Sequence, residues 1–407
     1  MTDIPTDATE TTSLRNKMID QLRDEGWITS PEVEAVMRKV PRERFTPPGT
    51  ALADVYNPWD AVVTQTNEHG VHTSSVSAPQ VQAFMLEQAQ VRPGMKVLEI
   101  GSGGMNAAYL SELVGPTGTV VTVDISSEIT ETAARLLAEN GYENVRVVTA
   151  DAAEPIPGVG VADVILVTVG AWDIPPAWTY QLHPQGRLVV PLRARGLTRS
   201  ISFVMQGDHL ESTSAKQCGF VAMQGSTEHH EQLLLVAGTE EIALRFDDGL
   251  PIEPSQLDNA VKTERIEQWS GVTLGRREPF GSLQLHLAIT VPGFCTMTVD
   301  QDLDSGIVVP NRHGFSLAAV DGDSFAYLVF RPAGDDDVEY GVHALGNHAQ
   351  QLADTLIATL HDWDAHHRGD STPIFRVYAA GTPDDQVVGD RVVDKVHSRI
   401  SLSWPAA

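Results

Sequence analysis

Glycines and a carboxylate stand together between positions 95 and 106, at a spacing suited to nucleotide binding. The apolar run that ends beside Glu99 is typical of a buried parallel strand. After the strand come three glycines, which let the backbone turn sharply and approach a ligand closely: Gly101, Gly103 and Gly104. Residues 107–114 then predict a helix. A strand, a glycine turn and a helix N-terminus together predict a nucleotide-binding corner.

Acidic residues also close the next strands of the pattern. The strand predicted at 118–123 ends at Asp124, about twenty residues after the glycine turn, where a carboxylate can reach a ribose diol. The strand at 145–149 is followed by Asp151, which can accept a hydrogen bond from an adenine amino group, and 162–168 is typical of a central strand. With no Walker lysine, the pattern favours adenosine without a phosphate tail. The alternative is a Rossmann-like core whose acids only cap turns.

The composition is strongly acidic, because 54 Asp and Glu against 28 Lys and Arg give a formal net charge of -26. Such a surface repels nucleic acid and anionic membranes. The excess of acidic residues is explained either by a solvated acidic surface or by a role in attracting basic peptide segments. Cys218 and Cys295 are too few for a disulfide framework and lack metal-ligand spacing. No apolar stretch is long enough to span a bilayer and the N-terminus is not a signal peptide, so we expect a cytoplasmic protein.

Further elements must position the corner. Residues 16–26 and 31–39 predict helices, the second with Ser30 as N-cap and Pro31 at its first position. Residues 54–73 have few regular signals and predict an ordered loop layer. The remaining predictions for this half are a helix from 78 to about 92 and final strands at 200–205 and 217–223.

The composition changes after residue 225, which predicts a domain boundary. A long helix beginning near Asn347 should face a core with four residues at helical spacing: Leu352, Leu356, Leu360 and Trp363. Strands are predicted at 233–236, 242–246, 284–289, 306–309, 316–320, 325–329, 375–378 and 400–404. The chain is therefore divided into a disordered N-terminus (1–12), a nucleotide-binding α/β domain (13–225) and a C-terminal α+β domain (226–407).

Several segments resemble protein-L-isoaspartate O-methyltransferases across residues 14–225. The matching segments lie in order at 40–47, at Tyr56 and Asp60, and at 75–79, 97–103, 141–145 and 186–191. The resemblance implies a Rossmann-like fold whose last strand runs antiparallel, S-adenosyl-L-methionine as the methyl donor, and a peptide carboxylate as the acceptor. It also places Ser77 beside the reacting carboxylate, as the predicted catalytic residue.

Motif and resemblance together give the predicted site. The expected cofactor-binding residues are Ser77, Glu99, Gly101, Ser102, Gly103, Asn106, Asp124, Ile125, Asp151 and Ala152. The expected substrate-binding residues are Tyr56, Asp60, His72 and Trp172, although Trp172 is equally well explained as a packed loop aromatic.

The sequence also departs from the family pattern. Met105 stands where the family pattern has the third glycine of its turn. Where the family usually has Thr-Ile-Ser, this chain has Ser75-Val76-Ser77, with extra residues around His72. The repair enzymes are expected to be compact single domains, whereas this chain continues to 407. The long form resembles the FxLD-type methyltransferases of lanthipeptide and graspetide maturation, which esterify a normal aspartate in a modified peptide. The alternatives are isoaspartyl repair and a peptide-binding protein without turnover, of which Met105 would be the sign.

Methyl transfer to a carboxylate makes modest demands on the protein. The acceptor is already ionised at neutral pH, because its ordinary pKa is about 4, so no strong general base is required. The enzyme must hold donor and acceptor in line and exclude water. Ser77 can orient the carboxylate with a hydrogen bond, or it can cap the helix that begins at Ala78-Pro79. The next backbone nitrogen can attack the methyl ester, expelling methanol and leaving a succinimide that hydrolyses to aspartate or isoaspartate.

A second group of polar side chains lies at the end of the long helix. His361, His366 and His367 stand among Asp362 and Asp364, but an exposed polar helix end explains them, and no metal is predicted. The C-terminal domain is expected to select the acceptor peptide, and the alternative is that it only stabilises the fold or an oligomer.

Overall fold

The computed structural model describes residues 8–404 except 69, 248–252, 254, 276–277, 301, 303–304, 310, 312–313, 335 and 370–371. The chain forms two compact units. The first contains residues 1–192, 198–229 and 396–398, and the second contains 193–197, 230–395 and 399–407. The first unit thus continues a few residues past the predicted boundary at 225. Among helices built from described residues, none has the length and apolar character needed to cross a bilayer.

Helices and a largely parallel sheet make up the first unit. Its helices are α1 (Ala8–Asp24), α2 (Pro31–Lys39), α3 (Leu52–Val55), α4 (Pro79–Ala89), α5 (Met105–Val114), α6 (Ser127–Glu139) and α7 (Pro176–Tyr180). Its strands are β1 (Val62–Thr66), β2 (His72–Val76), β3 (Lys96–Ile100), β4 (Thr119–Asp124), β5 (Val145–Thr149), β6 (Ala162–Val167), β7 (Leu182–Ala194), β8 (Leu197–Gln206) and β9 (His209–Gln217).

The strand order of this sheet places β3 at its centre. Among the strands of the first unit the order is β9-β8-β7-β6-β3-β4-β5, and β3 pairs in parallel with both β4 and β6. Chain connections leave β3 in opposite directions, so its carboxyl end is a topological switch point, where open α/β sheets bind ligands. β8 and β9 pair antiparallel, so the last strand of this unit runs antiparallel to its neighbour, as expected. This is the predicted Rossmann-like architecture.

Local sequence signals set several helix boundaries. The Ser30 hydroxyl accepts a hydrogen bond from the amide of Val33 (3.3 Å), and Pro31 begins α2, so the predicted N-cap is confirmed. The prediction of disorder for residues 1–12 is wrong for 8–12, which form the first turns of α1, where Thr11 is buried. Residues 1–7 lie outside the described part.

Two predictions for the first unit need correction. The expected loop layer at 54–73 instead contains β1, which pairs antiparallel with β2 in a two-stranded hairpin. Both strands are mostly polar, so they lack the alternation that marks a half-buried strand. The strand expected at 217–223 ends at Gln217, because the polar segment before it, β9, is the one that pairs with β8.

The second unit is mainly antiparallel. Its helices are α8 (Gly281–Thr290) and α9 (Ala349–His366), and its strands are β10 (Gln232–Leu235), β11 (Ile242–Phe246), β12 (Ile266–Gly275), β13 (Phe294–Val299), β14 (Ser316–Asp321), β15 (Ser324–Pro332), β16 (Asp337–Leu345), β17 (Ile374–Ala379), β18 (Arg391–Asp394) and β19 (Ser398–Ser403). Seven strands form one sheet in the order β10-β11-β13-β14-β15-β16-β12. This agrees with the predicted α+β class.

The sequence predictions for the two helices of this unit had opposite outcomes. α9 buries Leu352, Leu356, Leu360 and Trp363 as predicted. The strand predicted at 284–289 is wrong, because these residues form α8. Every residue from Ser282 to Ile289 is buried, so the alternation of polar and apolar residues there did not mark two faces of a strand. Residues 306–309, also predicted as a strand, form bends without strand pairing.

Candidate active site

An open cleft lies at the carboxyl ends of the central strands of the first unit, with a volume of about 1150 Å³ including its mouth. Two sets of residues line it. One set follows β3 and β4 and is called here the glycine-turn wall: Glu99, Gly101, Ser102, Gly103, Asn106, Asp124 and Ile125. The other comes from the β1–β2 hairpin and the start of α4 and is called the hairpin wall: Gln65, Thr73, Ser74, Ser75, Ser77 and Gln82.

The glycine turn depends on a backbone conformation that other residues rarely adopt. Gly101 has φ +95°, and a Cβ atom there would lie 2.6 Å from Oγ1 of Thr168. The Thr168 hydroxyl lies within hydrogen-bond distance of the carbonyl oxygens of Ile100 (3.1 Å) and Gly101 (2.9 Å) and thereby braces the turn against the end of β6. Met105 is buried at the first position of α5, so the helix packs without the family's third glycine.

Asp124 fixes the geometry of the turn with its carboxylate. Oδ2 accepts a hydrogen bond from the amide of Ser102 (3.0 Å) and Oδ1 accepts one from the amide of Ser126 (3.0 Å). Burial raises the pKa of Asp124 above its ordinary value. Each oxygen keeps acceptor capacity for a ribose hydroxyl. Ile125, the next residue, exposes 41% of its surface and gives this wall an apolar face.

Glu99 is the most deeply buried acid of the cleft, with 1% exposure. Burial raises the pKa of its carboxyl to about 7. Neither its Oε2 atom nor the buried hydroxyl of Ser102 makes a well-formed hydrogen bond within the described part of the chain. Buried polar groups rarely lack partners, so these two atoms are suited to a polar ligand in the cleft.

Ser77 is held by its backbone. It follows β2, and its carbonyl oxygen accepts a hydrogen bond from Nη2 of Arg42 (2.8 Å). Arg42 also donates to the carbonyl of Val55 (2.8 Å) and to Oε1 of Gln82 (2.6 Å). The residue at the N-cap of α4 is Ala78, so the interpretation of Ser77 as the helix cap is wrong. The Ser77 hydroxyl is therefore not committed to capping.

Asp151 and Ala152 lie outside the lining of the cleft. The amides of Ser226 and Ala153 donate to the Asp151 carboxylate at 2.9 Å each. Although burial alone would raise it, these donors hold the pKa of Asp151 below its ordinary value. The Ala152 carbonyl accepts a hydrogen bond from Nε1 of Trp178 (2.8 Å). Asp151 thus anchors the segment that follows residues 220–224.

The four predicted substrate-binding residues are not brought into the cleft lining. Tyr56 is buried and donates its hydroxyl hydrogen bond to Glu43. Asp60 accepts a hydrogen bond from the side-chain amide of Asn57 (2.7 Å), and His72 is exposed at the start of β2. Trp172 stacks on His229, with ring centroids 4.0 Å apart.

Other cleft residues were missed from the sequence. Phe220, Val221, Ala222 and Gln224 line the cleft, as do Thr168 and Met85. Met85 lies in a helix that the sequence predicted, but the prediction did not place it in a cleft. Nothing in the sequence indicated that residues 220–224 line the cleft. They are fixed by an isolated bridge between Gly170 and Ala222, which are far apart in sequence.

Comparison with known proteins agrees with this geometry. A family model described as protein-L-isoaspartate(D-aspartate) O-methyltransferase (PCMT) matches residues 13–228. A protein-L-isoaspartate O-methyltransferase of Hyperthermus butylicus is 35% identical over 52% of this chain and 88% of its own length. One of Methanopyrus kandleri is 38% identical over 44% of this chain and 77% of its own length.

A solved structure named protein-L-isoaspartate O-methyltransferase is similar in fold along nearly the whole chain. It covers 95% of this chain and 99% of its own, with a TM-score of 0.50 and 21% identity. The expectation that the repair enzymes are compact single domains therefore does not hold for the protein of that structure. The family model and the curated relatives show that the chain belongs to the protein-L-isoaspartate(D-aspartate) O-methyltransferase family and is an S-adenosylmethionine-dependent O-methyltransferase of that kind.

Proposed function

We propose that this enzyme esterifies the side-chain carboxylate of an aspartyl residue in a ribosomally made, modified peptide of the lanthipeptide type. The observation that carries carboxyl methylation is that one cleft is lined both by the glycine turn with its acids and by Ser77 on the hairpin wall. The choice of a modified peptide follows the resemblance of the long chain to the FxLD-type methyltransferases. S-adenosylmethionine, when bound, supplies a methyl group that the acceptor oxygen takes. The cleft residues have two tasks, to hold the donor and to present the acceptor.

The glycine-turn wall is suited to the donor. Asp124 offers acceptor capacity for ribose hydroxyls while its own contacts fix the turn. The unpaired Oε2 atom of Glu99 and hydroxyl of Ser102 give further polar contacts in a buried setting. The cofactor carries a net positive charge, which an ionised Glu99 stabilises.

The hairpin wall is suited to an anionic acceptor. Arg42 is 1% exposed, and no carboxylate pairs with its guanidinium among the described residues. The positively charged guanidinium donates a hydrogen bond to the Ser77 carbonyl. This wall therefore favours a negatively charged ligand. The Ser77 hydroxyl can donate a hydrogen bond to a carboxylate without removing a proton. Positioning and exclusion of water then lower the barrier.

The β1–β2 hairpin is suited to contact the backbone of a peptide substrate. It brings Gln65, Thr73, Ser74 and Ser75 to the cleft, and it contains His72, around which the sequence departs from the family pattern. These polar side chains offer hydrogen-bond donors and acceptors to a peptide backbone. The ester product can close to a succinimide, with loss of methanol, and water then opens the ring to aspartate or isoaspartate.

Repair of isoaspartyl residues is the second candidate. The names of the curated relatives favour it, and so does the whole-chain likeness to a solved structure of the same name. Because that structure also spans both units, the presence of the second unit does not separate the two candidates. The role of residues 226–407 in acceptor selection stays a prediction.

The test uses the full-length enzyme, isotopically labelled S-adenosylmethionine and three peptides. These are the cyclised form of the precursor peptide encoded nearest the gene, the same peptide with asparagine at the acceptor position, and a linear isoaspartyl peptide. We expect a base-labile methyl ester on the first peptide and none on the asparagine control. Methylation of the isoaspartyl peptide alone would favour repair, and transfer to none of the three would contradict carboxyl methylation.

A further inference from the structure

A cluster of histidine and aspartate side chains lies between two helices of the second unit. His286 comes from α8, and Asp362 comes from the last turn of α9, with His367 just after it. One potential ligand atom from each residue lies within 4.8 Å of the other two. These three residues are called here the His-Asp cluster. The sequence-based expectation of no metal did not include His286, which is far from the others along the chain.

The donor atoms of the cluster converge. Nε2 of His286 lies 3.1 Å from Oδ2 of Asp362, and the rings of His286 and His367 have centroids 4.7 Å apart. The second carboxylate oxygen of Asp362 lies 3.0 Å from Nδ1 of His366. Two imidazoles and one carboxylate oxygen are therefore close enough together to hold one ion, while His366 contacts the other carboxylate oxygen.

The environment of His286 is a second observation, independent of the clustering, that indicates a ligand. Its side chain is 2% exposed, and neither ring nitrogen makes a hydrogen bond of acceptable geometry within the described residues, although Nε2 is close to Asp362. A buried imidazole whose ring nitrogens make no well-formed hydrogen bond is costly unless a ligand satisfies them.

The surrounding structure holds these side chains in place. The buried indole Nε1 of Trp363, next to Asp362, donates to the hydroxyl of Ser282, one turn before His286, at 3.0 Å. Trp404 stacks on the ring of His367, with centroids 4.4 Å apart. The nearby cation Arg368 is paired with Glu278 and Asp364 at 2.6 Å each, so its charge is compensated. Such fixed ligands are what a metal site requires.

We propose that His286, Asp362 and His367 bind one divalent transition-metal ion, with Zn²⁺ as the best match. Zinc accepts imidazole nitrogen and carboxylate oxygen, and three protein ligands with an open fourth position form a common zinc arrangement. His366 orients the ligating carboxylate, as outer-sphere partners do in such sites. By joining α8 to the end of α9, the ion stabilises the second unit.

The test measures zinc bound to the full-length protein after treatment with EDTA and dialysis. We expect about one tightly bound Zn²⁺ per chain by calorimetry and elemental analysis, with Co²⁺ giving the intense visible absorption of a tetrahedral site. Zinc should also raise the midpoint of thermal unfolding, because it binds the folded chain. These readouts do not use methyltransferase activity, so the outcome is independent of the proposed function.

Three variants separate a built site from adventitious binding. Asp362→Asn keeps the shape of an exposed side chain, so it should fold and bind zinc at least about 100-fold more weakly, while His366→Ala should lose about tenfold. His361→Ala is the matched control on the same helix, since its Nε2 lies 2.7 Å from the carbonyl of Ser270 instead, and it should keep full affinity. Equal binding by wild type and Asp362→Asn, or no stoichiometric zinc in the wild type, would overturn the proposal.

Discussion

In the glycine-turn wall the polar groups are side chains held by backbone donors, whereas in the hairpin wall the backbone is held by a side chain. Asp124 is fixed by the amides of Ser102 and Ser126. On the other wall, the guanidinium of Arg42 fixes the carbonyl of Ser77. The first arrangement presents negative charge, and the second places a buried positive charge behind Ser77, where we propose that the acceptor lies.

From this difference we propose that donor binding and acceptor presentation are separable in one cleft. A change in the glycine-turn wall should alter cofactor affinity, and a change in the hairpin wall should alter transfer at saturating cofactor. Single substitutions in each wall can test that separation.

Arg42→Met should have the largest effect. It leaves the carbonyls of Val55 and Ser77 and the side chain of Gln82 without their donor, so we expect a loss of about 3 kcal/mol in the free energy of unfolding. Chemical denaturation measures this loss. Arg44→Met is the matched control, because Arg44 is exposed in the same turn and should change stability by less than about 0.5 kcal/mol. Equal stability of the two variants would show that Arg42 does not hold the hairpin wall.

Asp124→Ala should have the second-largest effect. Removing the carboxylate leaves ribose hydroxyls without an acceptor, so S-adenosylhomocysteine should bind about 2 kcal/mol more weakly by calorimetry. Glu131→Ala, on the exposed face of α6, is the control and should bind normally. Unchanged affinity in Asp124→Ala would remove Asp124 from the cofactor site.

Glu99 predicts a pH dependence. Its pKa is raised from 4.5 to about 7 in the folded protein. The stability contributed by its protonated form is full below its unfolded value and is lost as the pH rises through about 7. Since a cationic cofactor favours ionised Glu99, affinity for S-adenosylmethionine should rise about tenfold from about pH 6 to about pH 8. Calorimetry at several pH values measures this rise. Glu99→Gln should remove most of the dependence, and an equally steep profile in that variant would assign the titration to another group.

Ser77→Ala should have the smallest effect. Loss of one hydrogen bond to the acceptor should slow methyl transfer about fivefold, or about 1 kcal/mol, with unchanged cofactor affinity. Because Ala78 is the N-cap of α4, the melting temperature should stay the same. Quenched-flow measurement of the transfer rate provides the test, and a lower melting temperature with a normal rate would restore the capping role.

The glycine-turn wall could be predicted from the sequence because its residues are close along the chain. The strand, the glycines and Asp124 occupy one continuous βαβ segment, so local spacing determines their arrangement. The hairpin wall was harder to predict. Ser77 was found through a resemblance, whereas nothing local links Arg42 to Ser77 or places residues 220–224 in the cleft.

In the second unit, too, prediction from the sequence was limited to features built on one continuous segment. α9 has one apolar stripe and was predicted, but α8 is buried on all sides, so its alternating residues suggested a strand. The histidines at the end of α9 suggested an exposed helix end because His286 approaches them only after α8 has packed. Sequence spacing detects sites built on one segment and misses those built by long-range packing.

The central claim is that the two walls act separately, and single-turnover methyl transfer at saturating S-adenosylmethionine tests it most directly. The measurement compares Asp124→Ala and Ser77→Ala with the wild type on the same carboxylate-bearing peptide. We predict a nearly normal rate for Asp124→Ala once cofactor is saturating, and an about fivefold lower rate for Ser77→Ala. A normal rate for Ser77→Ala together with a reduced rate for saturated Asp124→Ala would contradict it.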